Sequence, residues 1–156
     1  EKKGISSARV DFFNNSICII TPSAITNKSA LKKIKLLWQK LGAKTVIMHP
    51  KQHDRILAFT SHLPHLVAFS LIAAIPDKFL SLSSNGLKDT TRISGSDGLL
   101  WSQIFISNRK NLLSAVSSFQ AKLARLKLAL TNKDKNHLIK MLLKAREKRE
   151  RLLRLR

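Results

Sequence analysis

Apolar positions follow two different rhythms along this chain, and the change of rhythm divides it. In the first 50 residues they form short continuous runs. Ile17–Ile20 is one, stopped by Thr21-Pro22, and Thr45–Met48 is another, halted near Pro50. Four-residue runs bounded by breakers predict buried strands. Between them Leu31, Ile34, Leu37, Trp38 and Leu41 recur at the spacing of one helical face, with Lys32, Lys33, Lys35 and Lys40 filling the rest. Ser29 is the expected N-cap of that helix and Gly42 its C-terminal stop. Strand, helix and strand joined by short loops predict a crossover between parallel strands. Two strands make no stable sheet alone, so residues 1–50 are expected to close a larger α/β domain. Residues 1–15 read as loop, with a short helical turn around Ala8–Phe13.

From His53 the strand signals stop and the period becomes helical. A long helix is expected over 53–75, kinked at Pro64 because proline has no N–H and crowds the preceding turn. Its end, Leu66–Ile75, is the most apolar stretch of the chain and reads as a buried core helix. Leu63–Ile75 is too short to span a bilayer. Residues 76–88 read as loop, and Ser96 as the cap of a short helix ending at Ser107. A further helix is predicted over 109–130, with Leu112, Leu113, Val116, Phe119, Leu123, Leu126 and Leu130 on or near one face. A turn at Asn132–Asp134 leads to a last helix over 135–153. Residues 51–156 are thus expected to be all-helical.

Composition changes this picture in three ways. The formal net charge is +20, which favours anionic partners. One reading is a basic helical module for nucleic acid; the other is a Lys-rich solvated surface, since the aromatic interleaving used on single strands is missing. The lone Cys18 gives no intramolecular disulfide and suits a reducing, cytoplasmic compartment. The start, EKKGISSARVDFF, lacks the apolar core of a signal peptide. It also lacks an initial Met, so a fragment or processed product is expected.

Candidate chemistry gathers in two polar clusters flanking the apolar helix, which suggests a pocket. The first is HDRILAFTSHLPH, His53–His65. In it His62 and His65, three residues apart, project from the same side of a helix beside Ser61. An imidazole can donate, accept or, when charged, hold a carboxylate. Structural histidines are the alternative, and a metal site is not expected because further ligands are wanting. The second cluster is GLKDTTR, Gly86–Arg92. The Arg92 guanidinium is a natural fork for a carboxylate or phosphate, and Asp89 could orient it through a side-chain pair. The alternative is a surface arginine with capping Asp and Thr. Trp101, nine residues on, is either core or ligand wall. His49, His137 and Cys18 have no assigned role. Neither a Gly-rich phosphate loop nor a nucleophile elbow occurs in these residues.

These residues resemble a known family. HDRILAFTSHLPHLVAFSL followed by GLKDTTRISGSDGLLWSQIFISNRKNLL is similar to the prephenate dehydrogenases, with the arogenate and cyclohexadienyl dehydrogenases. FFNNSICIITP and WQKLGAKTVIMHPKQHD continue the likeness, which fades in the basic tail. The resemblance implies a mainly α chain: the strand–helix–strand end of a Rossmann-type dinucleotide-binding domain (1–50), then a helical dimerisation and substrate-binding domain (51–156). It implies oxidative decarboxylation of prephenate or arogenate with NAD or NADP as hydride acceptor, in tyrosine biosynthesis, by a homodimer that touches no membrane. Arg92, His65, His62, Ser61 and Trp101 would line the substrate pocket. Glu1 and Asp89 would join Arg92 in an ionic network at its entrance. The nucleotide fingerprint and the catalytic histidine would precede Glu1, so this chain alone is expected to be inactive; a non-catalytic remnant that still dimerises is the alternative. Where the family has Gly-Gly ahead of its DTTR segment, this chain reads Asn85-Gly86.

Overall fold

The computed structural model describes residues 11–155. Strands β1 (Ile17–Ile20) and β2 (Lys44–Ile47) pair in parallel, with Ile17 opposite Lys44 and Ile20 opposite Ile47. Helix α1 (Lys28–Lys40) makes the expected crossover. Its cap is Asn27 rather than Ser29. The Asn27 side chain, on extended backbone, accepts from the N–H groups of Ser29 and Ala30 at 2.8 and 3.0 Å, whereas Ser29 already lies inside the helix. Gly42 ends α1 at φ +88°, and a Cβ there would collide with the side chain of Asn14. Two independent constraints therefore select glycine. The strands are not buried as predicted. Val46 and Ile47 are exposed, because one helix covers at most one face of a two-stranded sheet.

The helix predicted over 53–75 begins at Pro50, at a position where a missing N–H costs nothing. His49 caps it: its Nδ1 accepts from the Lys51 N–H at 3.2 Å, so this histidine has a structural job. The helix runs as α2 (Pro50–Leu57), a π-helical turn (Ala58–His62) and α3 (Leu63–Ala73). Pro64 accounts for the π turn. In a regular helix its ring would strike the carbonyl one turn back, and it has no N–H to offer. The chain widens the preceding turn instead, and Leu63 N–H reaches back to the Ala58 carbonyl. The predicted kink is thus a π-bulge, a feature often met at functional sites.

Together these segments, Pro50–Ala73, form a helix of 24 residues, long and apolar enough by length and composition to cross a membrane. The apolar stretch Leu63–Ile75 taken alone had suggested otherwise. Its three histidines, together with Lys51, Asp54 and Arg55, and the packing of α3 against the segments that follow, suit a helix held by protein. Nor is α3 the buried core expected of it: only Ala68 is buried.

Residues 76–88 are more ordered than a loop. A 3-10 helix (Asp77–Leu82) leads into α4 (Asn85–Thr91) and a second 3-10 turn (Arg92–Gly95). Thr90 and Thr91 hydroxyls donate to the Gly86 and Leu87 carbonyls, each at 2.7 Å, which lets these weak helix formers sit in a helix. Helix α5 (Gly98–Ser107) is capped by Asp97, which accepts from Leu100 N–H at 3.1 Å. Ser96, the expected cap, instead donates to the Ile93 carbonyl at 2.8 Å. Helices α6 (Arg109–Thr131) and α7 (Lys135–Arg154) follow, and Asp134 caps α7 through the His137 N–H at 2.9 Å.

Two compact units divide between Leu112 and Leu113, inside α6. In the second, Ala129 is buried while Leu142, Leu143, Leu152 and Leu153 are exposed. Across the described residues the buried apolar side chains are alanines except for Leu112, and no large side chain is fully buried.

Candidate functional site

The π turn and the first turn of α3 carry Ser61, His62 and His65, and α5 brings Trp101 to them. The His65 imidazole stacks on the indole with centroids 3.5 Å apart and planes 18° from parallel. His62 meets the same indole edge-on at 6.3 Å, and Phe105 lies against it at 5.5 Å. Three of the residues singled out from the sequence are therefore one cluster. Ser61 joins it through its backbone: the His65 Nδ1 lies 3.0 Å from the Ser61 carbonyl.

These contacts fix where the protons sit. A carbonyl can only accept, so His65 Nδ1 carries hydrogen and, in the neutral ring, Nε2 is left as an acceptor. His62 is arranged the other way. Its Nδ1 lies 3.2 Å from the amide nitrogen of Asn108. That nitrogen also donates to the Asp54 carbonyl at 2.7 Å, so it is the NH2 group that faces His62. His62 Nδ1 must then accept, and its proton sits on Nε2. The pair offers opposite polarity at Nε2: one donor and one acceptor.

His62 is buried, and burial holds its pKa below the usual histidine value. The Asp54 charge pulls upward, and His53 and His65 push further down. An unfolded histidine takes its proton near pH 6.5, about the value for free imidazole side chains; folded His62 takes it only at lower pH. Between those points the unfolded chain binds more protons, so stability rises with pH. His62 thus adds stability above about pH 6.5 that is lost as pH falls through the lowered folded value. We expect the urea midpoint to drop as buffer is taken from pH 7.5 to 5, and His62→Gln to flatten that drop. An unaltered slope in the variant would refute the assignment.

Arg92 opens the second 3-10 turn. The buried Thr91 anchors it, and Ser94 clips the turn by donating to the Thr91 carbonyl at 2.7 Å. This turn packs on α3, the helix that carries His65. Asp89 sits on α4, exposed, and its backbone carbonyl accepts the Arg92 N–H. Glu1, the other expected member of that network, lies outside the described residues. His53 and Asp54 pair at 3.0 Å on a partly exposed surface, where such pairs are worth little. Among the described residues no group of three His, Cys, Asp or Glu side chains could hold a metal.

Sequence reasoning passed over Asn108. The one signal available was a pair of amides, Asn108 and Asn111, at the junction of two helical stretches in IFISNRKNLL.

This geometry defines a class of protein first: the closing crossover of a parallel α/β sheet runs straight into a helical domain carrying a polar, anion-competent cluster. The chain belongs to the prephenate dehydrogenase family. The family model for the prephenate dehydrogenase dimerization domain matches residues 49–144, and that for the nucleotide-binding domain matches residues 1–47. A cyclohexadienyl dehydrogenase of Zymomonas mobilis is 30% identical over 146 residues, 89% of this chain and 50% of the relative. A prephenate dehydrogenase of Bacillus subtilis is 27% identical over 97% of this chain and 42% of the relative. Among solved structures, a prephenate dehydrogenase from Aquifex aeolicus, in complex with hydroxyphenyl propionate and NAD+, superposes with a TM-score of 0.88. It is 32% identical and matches 97% of this chain and 55% of its own. The chain spans about half the length of the relatives it matches.

Proposed function

We propose that this chain is the substrate-binding and dimerising part of a dehydrogenase that oxidatively decarboxylates prephenate, or its amino analogue arogenate, in tyrosine biosynthesis in the cytoplasm. The observation that carries this reading is the His65–Trp101 stack beside His62, with Arg92 on a turn packed against the same helix. Prephenate is a dianion with a ring hydroxyl, and the cluster meets it with matching groups. Arg92 holds a carboxylate through its fork. His62 donates from Nε2, His65 accepts at Nε2, and the Trp101 indole walls the ring side of the pocket, with Ser61 beside them. Asp89 belongs to the charged rim.

NAD or NADP, when bound, would supply the hydride acceptor that oxidative decarboxylation requires. The fit to this chain is partial. Both parallel strands end on one edge, at Ile20 and Ile47, and α/β folds bind nucleotides outside such ends. The chain has no Gly-rich turn for the phosphates, so its residues would not supply that part of the site. What they contribute is placement and exclusion of water.

The family's dimerization domain and the uncovered apolar side chains of this chain support a homodimer. Ile56, Phe59, Phe79, Leu99 and Ile106 are all exposed in the single chain, more than a monomer ordinarily leaves wet. The test pairs two measurements on the full polypeptide encoded by the gene. Sedimentation should give a dimer, and NAD(P)H should form on addition of prephenate or arogenate. A monomer that reduces neither cofactor with either acid would end this reading.

A further inference from the structure

Asn108 has no place in the reading above, yet it is among the few buried polar residues of the described chain. It sits where α5 ends and α6 begins. Its amide nitrogen spends one hydrogen on the Asp54 carbonyl at 2.7 Å and the other on His62 Nδ1 at 3.2 Å. Its oxygen accepts from the Asn111 amide at 2.8 Å. Both hydrogens of the buried amide and its oxygen are thereby engaged. The direction of the whole relay is set by its one member of fixed polarity. A backbone carbonyl cannot donate, so Asp54 dictates which way the Asn108 amide points, and Asn108 dictates which nitrogen of His62 is bare.

We propose that Asn108 is a positioning residue that locks His62 in its Nε2–H tautomer, so that the ring presents a neutral hydrogen-bond donor to the anionic substrate. The inference rests on the proposed substrate site but deepens it. A free imidazole interchanges its two neutral tautomers and takes up a proton near neutrality. The lock removes the first freedom, since a flipped tautomer would set N–H against N–H. Burial works against the second. The groups around the ring are Asp54 and His53 on α2, His65 on α3, the Trp101 edge on α5, and Asn108 itself. Only Asp54 favours a charged ring. The neighbouring His65 is held in the opposite sense by the Ser61 carbonyl. One site thereby keeps a donor and an acceptor in fixed places.

The lock can be read without substrate. In long-range proton–nitrogen spectra of the 15N-labelled chain at pH 7.5, protonated and bare imidazole nitrogens are well separated. His62 should show bare Nδ1 and protonated Nε2. In Asn108→Asp the carboxylate can only accept, so Nδ1 should gain a proton. A wild-type ring protonated at Nδ1, or a tautomer that ignores Asn108→Asp, overturns the lock. Should that variant not fold, the wild-type spectrum decides alone.

The purpose of the lock is read kinetically on the full polypeptide. Asn108→Asp should raise KM for prephenate about tenfold, the usual weight of one hydrogen bond, with kcat little changed. His62→Gln places an amide donor near the former Nε2, and adding it to Asn108→Asp should return most of that affinity. A purely structural Asn108 would not be rescued this way, and absence of rescue overturns the donor role. If the polypeptide turns over neither acid while the spectra come out as expected, the functional reading fails and the tautomer lock stands.

Discussion

Arg92→Ala in the full polypeptide is expected to lower kcat/KM for prephenate by roughly 30- to 150-fold, from losing a charged hydrogen bond of about 2–3 kcal/mol. The loss should fall on KM rather than kcat, for a chemical reason. Of the two substrate carboxylates, one leaves as CO2 and sheds its charge on the way. A cation clamped on that group would stabilise the ground state and slow the reaction. Arg92 therefore belongs on the carboxylate that stays, where it binds ground state and transition state alike, and such uniform binding appears in KM. Arg92→Lys keeps the charge but not the planar fork, and should fall between wild type and alanine. The side chain is exposed, so the melting temperature should move little. Steady-state kinetics with a melting curve as control decide it. A kcat that rises together with KM would place Arg92 on the departing carboxylate instead.

How much of this could be read from the sequence depended on what kind of physics each feature uses. The crossover was legible because periodicity and Gly42 are local signals, and Gly42 takes the left-handed backbone its position demands. Both strands fall where the apolar runs put them, within one residue. Caps were less legible. Asn27 and Asp97 displaced Ser29 and Ser96 because a cap is chosen by backbone conformation, which neighbouring serines do not reveal. Residues 76–88 were misread because Ser, Asn and Gly favour loops, while the hydroxyl-to-carbonyl bonds that hold α4 are visible only in three dimensions. Burial was overread throughout. The pattern marks which side chains want cover, and α3 wants it, but the pattern does not say whether this chain or a partner supplies it. In the site, the three-residue spacing of the histidines put them on one face, and Trp101 does meet both. Their proton positions were beyond the sequence, because each follows from one carbonyl or amide brought in by folding.

Trp101→Ala should be the most damaging single change to stability. The indole is only half-buried, yet it stacks on His65, takes the edge of His62 and packs against Phe105. Removing a buried Trp side chain costs about 3–5 kcal/mol; partial exposure lowers that here to about 2–3 kcal/mol. Against a total of about 5–15 kcal/mol for a folded domain, this is a large share. Urea unfolding followed by far-ultraviolet circular dichroism should show a lower midpoint at an unchanged slope. Trp101→Phe separates packing from site geometry. A phenyl ring still gives His65 a flat surface, so stability should be mostly restored and KM for prephenate with it. The alanine variant leaves His65 tethered by the Ser61 carbonyl alone, free to swing out of the cluster, and its KM should rise even at temperatures where the protein remains folded. If alanine and phenylalanine variants bind substrate equally well, the stack serves only the core, and His65 is a structural histidine.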